Sequence, residues 1–140
     1  KNYLQVKTCQ ETSLLPLLGN LANPSPAQGW GEEEFLSLSG RGPAPLIMGL
    51  ALLHHLWASH GITLPLMAEY FSRLGTWLLL EYIPPDDPQA RTLIRSREAT
   101  LPEYSEGAFS AAFAPAFEDI RSASLPGSGR KLVLLKKRKT

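Results

Sequence analysis

The sequence contains a single cysteine, Cys9, and no long hydrophobic run among its 140 residues. One cysteine excludes an intrachain disulfide framework and a zinc site with several cysteine ligands. His54, His55 and His60 lack the spacing of the usual metal-binding motifs, so we expect no metal. No stretch reaches the roughly 18 apolar residues of a membrane span. The opening KNYLQVKTCQE is not a signal segment, and we expect a soluble, cytoplasmic protein.

Charge is unevenly distributed along the chain, although the net charge is only +1. The last ten residues hold five Lys and Arg and no acid, which leaves nine basic and thirteen acidic residues in 1–130. A basic end such as residues 136–140 can bind nucleic acid or anionic membrane, but it is more often a solvated terminus. Aromatic residues do not alternate with basic ones elsewhere in the chain, so we do not expect a nucleic-acid partner.

Twelve prolines and eleven glycines divide the chain into short elements. Apolar runs between turn formers predict five strands, at residues 13–19, 45–53, 76–83, 117–125 and 131–137, of which the last two form a hairpin. Capping and stop residues predict helices over 32–40, from Thr63 to Gly75, over 86–97, and from Ser105 onward. Phe109, Phe113 and Phe117 recur at intervals of four, which indicates a core stripe.

Strands that alternate with helices predict a parallel α/β sheet, to which the final hairpin adds an antiparallel strand. Ligands of such sheets bind beyond the carboxyl ends of the strands. The segments of interest for function are therefore 20–30, 53–55 and 81–85.

Five segments together resemble a known family: LLPLLGNLANPSPAQGW, LIMGLALLHHL, WLLLEYIPPDDPQ, SREATLPEYSEGAFSAAF and PGSGRKLVLL. They are similar to the second half of a class I S-adenosylmethionine-dependent methyltransferase, and in particular to a bacterial methyltransferase-like group that is sometimes labelled nodulation-related. The resemblance covers essentially the whole chain. The family has a Rossmann-like sheet of order 3-2-1-4-5-7-6 with strand 7 antiparallel. On this basis residues 13–19, 45–53 and 76–83 correspond to the family's strands 3, 4 and 5, and the hairpin to strands 6 and 7.

The fold class expected from the resemblance is α/β. The sheet would be Rossmann-like and mostly parallel, without the family's strands 1 and 2, and would end in an antiparallel hairpin. Residues 1–140 would then form a single partial domain. Without its neighbours, strand 4 has an open apolar edge, which invites pairing with another chain. We expect a longer polypeptide or self-association through this edge. As a third alternative, strand 3 pairs directly with strand 4.

Two features of the family are missing or altered in this sequence. The glycine-rich loop after strand 1 and the acidic residue that binds the cofactor ribose find no counterpart in residues 1–13. The family tends to carry an acid near the adenine, where this chain has Asn20, whose amide can also bond an adenine edge. The resemblance implies that the intact protein binds S-adenosylmethionine, and that these 140 residues alone bind it weakly or not at all.

The resemblance and the predicted strand ends supply the candidate site residues. The candidates for cofactor binding are Asn20, Leu21 and Ala51, those for catalysis are His54 and His55, and those for the substrate pocket are Pro24, Ser25, Trp30 and Glu81. A histidine at the end of strand 4 would orient the methyl acceptor or accept its proton.

Each candidate also has a purely structural interpretation. One of the two histidines would cap the next helix while the other is buried and hydrogen-bonded, and the loop asparagine would satisfy backbone groups of a turn. Trp30 would pack its loop onto the sheet, and Glu81 would be a strand-end carboxylate bonded to backbone amides. The methyl acceptor is not indicated by any motif. A non-enzymatic α/β module, which associates through its open edge or its basic tail, is the alternative function.

Overall fold

A computed structural model of the chain describes residues 18–97 and 101–139. The contacts divide the chain into two compact units, Lys1–Ser37 and Leu38–Thr140. The single domain expected over residues 1–140 stays a prediction. Most of the predicted first strand, residues 13–17, lies outside the described residues, and Leu18 and Gly19 are not in a strand.

The described part of the first unit consists of turns. Trp30–Glu32 form a short 3-10 helix, and an isolated β-bridge joins Gln28 to Phe35. Gly29 has a φ of 93°, and a Cβ there would lie 2.4 Å from the Cβ of Glu34. Only glycine fits such a left-handed, crowded position.

The helix predicted over residues 32–40 is wrong. Glu32 has a φ of 62°, outside the helical region, and the chain then forms the bridge at Phe35. Phe35 and Leu36 are 60% and 56% exposed. A short helix in water needs a buried apolar face for its stability, and these residues provide none. Ser39–Arg41 form a separate 3-10 turn.

The second unit contains a four-stranded mixed sheet with the strand order β1-β2-β4-β3. Its strands are β1 (Ala44–Gly49), β2 (Gly75–Tyr82), β3 (Phe117–Ser124) and β4 (Lys131–Lys137). β1 and β2 are parallel, whereas β4 is antiparallel to both β2 and β3. The α/β class and the antiparallel hairpin are confirmed. A mostly parallel sheet is wrong for the described strands, since one of their three pairings is parallel.

The described residues of the same unit form four α-helices: α1 (Leu53–His60), α2 (Leu64–Leu74), α3 (Arg91–Arg95) and α4 (Glu106–Phe113). The predicted start of α4 is confirmed, because the Ser105 Oγ accepts a hydrogen bond from the Ala108 N–H at 3.1 Å. Thr63 lies at the N-cap of α2 but makes no side-chain capping bond. The helix predicted over 86–97 is shorter than expected, because residues 88–90 form a turn before α3.

The strand predicted over residues 45–53 is too long, and this changes the position of both candidate histidines. β1 ends at Gly49, and His54 and His55 lie in the first turn of α1 instead of at the end of a strand. Periodicity cannot separate a buried strand from a buried helix within one apolar run. Leu53 and Trp57 are each at most 1% exposed, so α1 is apolar toward the core, as a buried strand would also be.

One face of the sheet carries the core. Leu78 and Leu80 of β2 and Val133 and Leu135 of β4 are buried there. A line of aromatic rings continues the core, with centroid distances of 5.6 Å from Tyr82 to Phe109, 4.6 Å from Phe109 to Phe113 and 6.0 Å from Phe113 to Phe117. The predicted phenylalanine stripe is therefore core, although Phe117 belongs to β3 and not to the helix.

The opposite face of β1 is apolar and open. Leu46 and Met48 alternate along the strand and are 48% and 57% exposed. Their partners on β2, Trp77 and Leu79, are half-buried. Within residues 18–97 and 101–139, β2 is the strand that pairs with β1, so the other edge of β1 carries no strand there.

Truncation of a core phenylalanine tests this packing. Phe113→Ala should lower the free energy of unfolding by about 3–5 kcal/mol, because it removes a ring that is 2% exposed and leaves a cavity. Urea unfolding would measure the change. Phe35→Ala is the matched control, since that ring is 60% exposed and should cost less than about 1 kcal/mol. Equal losses in both variants would contradict the assignment of the core.

Candidate functional site

A polar cluster lies at the carboxyl ends of the two parallel strands. The carboxyl ends of parallel strands meet at one edge of a sheet, where α/β proteins bind ligands. Here β1 is followed by the turn at residues 50–52, and β2 carries Glu81 next to its last residue. Asp87 follows five residues after the end of β2. These groups, with Arg130 from the β3–β4 connection, form the strand-end cluster.

The turn between β1 and α1 is held by Glu81. The Ala51 N–H donates a hydrogen bond of 2.9 Å to the Glu81 Oε2. Ala51 has a φ of 50°, a left-handed conformation that costs a non-glycine residue roughly 1–2 kcal/mol. The interpretation of Glu81 as a strand-end carboxylate bonded to backbone is thus confirmed, and its role in a substrate pocket stays a prediction.

Arg130 joins the two carboxylates of the cluster. Its Nε donates to the Asp87 Oδ2 at 2.7 Å, and one of its terminal nitrogens donates to the Asp87 Oδ1 at 3.1 Å. The other terminal nitrogen lies 3.4 Å from the Glu81 Oε1. A further bond of 2.9 Å reaches the Gln89 side-chain oxygen. The planar guanidinium with its several donors suits such multiple contacts, which a lysine could not reproduce.

Asp87 is the most deeply held acid of the cluster, with a side chain that is 3% exposed. Its Oδ1 also accepts hydrogen bonds from the backbone N–H of Gln89 at 2.9 Å and of Ala90 at 3.2 Å. The hydrogen bond from Arg130, helped by these backbone donors, lowers the pKa of Asp87 from 3.8 to about 2 despite burial. Asp87 is therefore ionised at neutral pH, and the cluster has two carboxylates for one guanidinium.

His54 is a buried titratable group near the cluster. It is 5% exposed, and its Nδ1 has no hydrogen-bond partner among the described residues. Burial lowers its pKa, and the neighbouring His55 and Arg130 lower it further, while Asp87 and Glu81 act in the opposite direction. The neutral imidazole is thus the favoured form at neutral pH. His55 is exposed, with its ring centroid 4.1 Å from that of His54. The catalytic role of both histidines stays a prediction.

The remaining candidates lie in the first unit and make local contacts. The Asn20 Oδ1 accepts a hydrogen bond of 3.0 Å from the Ala22 N–H, the turn contact that asparagine commonly makes. The Ser25 Oγ accepts a bond of 3.2 Å from the Gln28 side chain. Leu21 is 40% exposed. Binding roles for Asn20, Leu21, Pro24 and Ser25 stay predictions.

Trp30 does not pack its loop onto other residues, since it is 92% exposed. That structural interpretation of the tryptophan is wrong. The two glycines beside it, Gly29 and Gly31, have positive φ values of 93° and 68° and turn the backbone so that the ring points to solvent. An exposed ring of this size is available to a ligand, and its place in a substrate pocket stays a prediction.

Sequence reasoning missed two residues of the cluster as candidates. Asp87 falls within the helix predicted over residues 86–97, and its position five residues after β2 is the signal that could have marked it as a strand-end carboxylate. Arg130 lies 43 residues further along the chain and carries no such signal, because its contacts arise from the pairing of β4 with β2.

The described residues contain no group of three or more His, Cys, Asp or Glu side chains placed to hold a metal ion. No helix in the described part of the chain has the length and apolar character needed to cross a membrane.

Comparison with known proteins finds one nodulation protein. The chain is 32% identical over 120 residues to nodulation protein NoeA of Rhizobium meliloti (strain 1021). The match covers 86% of this chain but only 25% of that protein, so the chain spans about a quarter of the length of its curated relative. No protein-family model matches the chain, and no solved structure matches it. The resemblance to a nodulation-related group is thus supported, without the methyltransferase class.

The lowered pKa of Asp87 predicts that the free energy of unfolding depends on pH. The folded-state pKa of about 2 lies below the ordinary value of 3.8, so ionised Asp87 contributes about 2 kcal/mol above pH ~4. This contribution is lost as the pH falls from about 4 to about 2. The free energy of unfolding should therefore be lower in Asp87→Asn than in the parent at neutral pH, and the difference should shrink over that acid range.

Urea unfolding at a series of pH values measures this difference. The neighbouring Asp86→Asn is the matched control, since Asp86 is exposed, and it should change the free energy of unfolding by less than about 0.5 kcal/mol. A difference between the parent and Asp87→Asn that stays constant with pH would contradict the role of the charged pair.

Proposed function

We propose that this chain is the acceptor-side half of an S-adenosylmethionine-dependent methyltransferase domain. The observation that supports this is the order β1-β2-β4-β3, with β1 and β2 parallel and β4 antiparallel between β2 and β3. The family's strands 4, 5, 7 and 6 have the same order and directions. β2 and β3 are consecutive strands in the chain, but β4 separates them in the sheet, which departs from the usual adjacency of consecutive strands.

Three described residues are the candidates that we propose for separate contacts with the cofactor. Asn20 and Leu21 offer an amide and an exposed apolar side chain, which are the groups that an adenine edge and face require. Ala51 lies in an exposed turn at the carboxyl end of β1, and its N–H is bonded to Glu81, so a ligand would meet its carbonyl and its methyl group. The contacts to the methionine moiety and the ribose come, in the family, from segments for which residues 1–13 offer no counterpart.

Methyl transfer from S-adenosylmethionine needs few catalytic side chains. When bound, S-adenosylmethionine supplies an electrophilic methyl group, and the protein binds, orients and excludes water. In this chain the strand-end cluster would fix the turn at Ala51. Neutral His54 would accept a proton where the acceptor atom loses one. The excess of carboxylate over guanidinium in the cluster favours a cationic ligand group.

The relative suggests the setting of the activity. The relative is named as a nodulation protein, and we propose that this chain belongs to a protein with a related role. The methyl acceptor of this chain is not defined by its residues. Small molecules, lipids and proteins would all satisfy the same geometry.

Cofactor binding is the direct test. The full-length protein should bind S-adenosylmethionine in calorimetry and transfer a labelled methyl group, whereas residues 1–140 alone should bind it weakly or not at all. Asn20→Ala should weaken binding by about tenfold, the effect of one lost hydrogen bond. Asn23→Ala is the control, because Asn23 is a neighbouring exposed asparagine of the same turn. No binding by the full-length protein would refute the proposal.

A second function is favoured by one observation. Leu46 and Met48 are exposed side by side on β1, and the edge of that strand is open among the described residues. Such a surface suits association, so we propose as the alternative a non-enzymatic module that acts through this edge. The basic tail is a weaker candidate, since Lys136 and Lys137 belong to β4 and the Arg138 Nε donates to the Ala114 carbonyl at 2.9 Å.

A charge on the exposed edge tests the alternative. Met48→Lys should shift sedimentation of the 140-residue chain toward the monomer, because a lysine on an edge strand disfavours pairing with another chain. Thr76→Lys is the control, since Thr76 is exposed on the interior strand β2. A monomeric parent chain would remove the alternative.

A further inference from the structure

The strand-end cluster spans three parts of the chain that are distant in sequence. Glu81 and Ala51 are 30 residues apart, and Arg130 follows Asp87 by 43 residues. The Ala51 N–H is bonded to one oxygen of Glu81, and the other oxygen lies 3.4 Å from Arg130. Arg130 therefore reaches the turn after β1 through a single intermediate side chain.

The same guanidinium holds the segment after β2. It bonds both oxygens of Asp87, and Asp87 in turn accepts from the backbone of Gln89 and Ala90. Because the Arg130 side chain is only 22% exposed, water competes weakly for these bonds. Both turns at the carboxyl edge thus depend on one residue of the β3–β4 connection.

We infer that Arg130 is the positioning residue of the site, which fixes the turn at Ala51 through Glu81 and the segment after β2 through Asp87. Its effect on ligand binding rests on the function proposed above. Arg130 itself is not expected to touch a ligand, because its donors are directed at Asp87, Glu81 and Gln89. Its role is to give both turns a single geometry, as preorganised sites require.

The charge of Arg130 also affects the protonation of His54. Four charged or titratable groups act on it: His55 on α1, Glu81 on β2, Asp87 after β2, and Arg130. Arg130 and His55 disfavour the imidazolium, while both acids favour it. Burial and His55 are the larger causes of the lowered pKa of His54, and Arg130 adds to them. Removal of the guanidinium charge leaves the two acids without their partner, so the pKa of His54 should rise.

Two substitutions of Arg130 separate its geometry from its charge. Arg130→Lys keeps the charge but loses the planar set of donors, so it should loosen the turn and leave the protonation of His54 unchanged. Arg130→Gln loses both, so it should loosen the turn and raise the pKa of His54. Lys131→Gln is the matched control, since the adjacent Lys131 pairs with the exposed Glu106 and not with the cluster.

Hydrogen exchange of the Ala51 amide in the full-length protein measures how tightly the turn after β1 is held. In both Arg130 variants exchange of the Ala51 amide should rise by about tenfold or more, the effect of a lost bond to a charged acceptor. Amides of α2 serve as the internal reference for global unfolding. An unchanged Ala51 amide, or an equal rise in α2, would overturn the inference. If Arg130→Gln does not fold, hydrogen exchange of Arg130→Lys alone tests the effect on the turn.

Histidine-ring NMR titration measures the second consequence, with His54→Asn to assign the signal. The pKa of His54 should rise in Arg130→Gln and stay at the parent value in Arg130→Lys and Lys131→Gln. No rise in Arg130→Gln would overturn the electrostatic part of the inference. A merely structural role of Arg130 would not predict this difference between the two variants.

Calorimetry with S-adenosylmethionine links the inference to function. Arg130→Lys should bind it more weakly than the parent, and Lys131→Gln should bind it equally well. A parent protein that does not bind would defeat the proposed function only, because exchange and titration need no ligand. Unchanged exchange in a parent that does bind would defeat the positioning role only.

Discussion

The burial of β2 between two neighbouring strands is the constraint on which the rest of the second unit depends. A buried strand must satisfy its backbone groups on both edges, and β2 does so with β1 on one side and β4 on the other. β1 precedes β2 in the chain, whereas β4 comes from its far end. The core leucines of β2 and the carboxylate of Glu81 are both placed by this pairing.

The ion network at the end of β2 follows from the same pairing. Two carboxylates that are nearly excluded from water need a partner, since burial of an unpaired charge is costly. The connection between β3 and β4 supplies one guanidinium, whose donors match several acceptors at once. Such a network adds little net stability compared with apolar packing, but it restricts the geometry of the groups that it joins. Positioning is thus a more fitting role for it than stabilisation.

The arrangement is compatible with a reaction that needs orientation more than acid–base machinery. Methyl transfer requires the donor and acceptor to be held in line and kept from water. Under the proposed function, a strand-end turn held by hydrogen bonds and a neutral buried histidine would help to orient the reactants. The similarity to a nodulation protein covers a quarter of that relative, so the rest of the binding surface would come from segments outside the match.

Local pattern determined much of the architecture. The alternation of strands and helices, the helix from Thr63, the cap at Ser105 and the final hairpin could be predicted, because each depends on residues close in sequence. Two predictions were wrong for a physical reason. Residues 32–40 had helix-compatible acids but no apolar face to bury, and the run at 45–53 was apolar enough for either a strand or a helix.

Tertiary structure decided the site. The hydrogen bond that holds the turn at Ala51 and the contacts of Arg130 with Asp87 and Glu81 join groups 30 or more residues apart. Glu81 could be placed at a strand end from sequence, but its partner Arg130 could not. Which side chain meets a carboxylate across a sheet depends on strand order and register, and only the folded chain settles both.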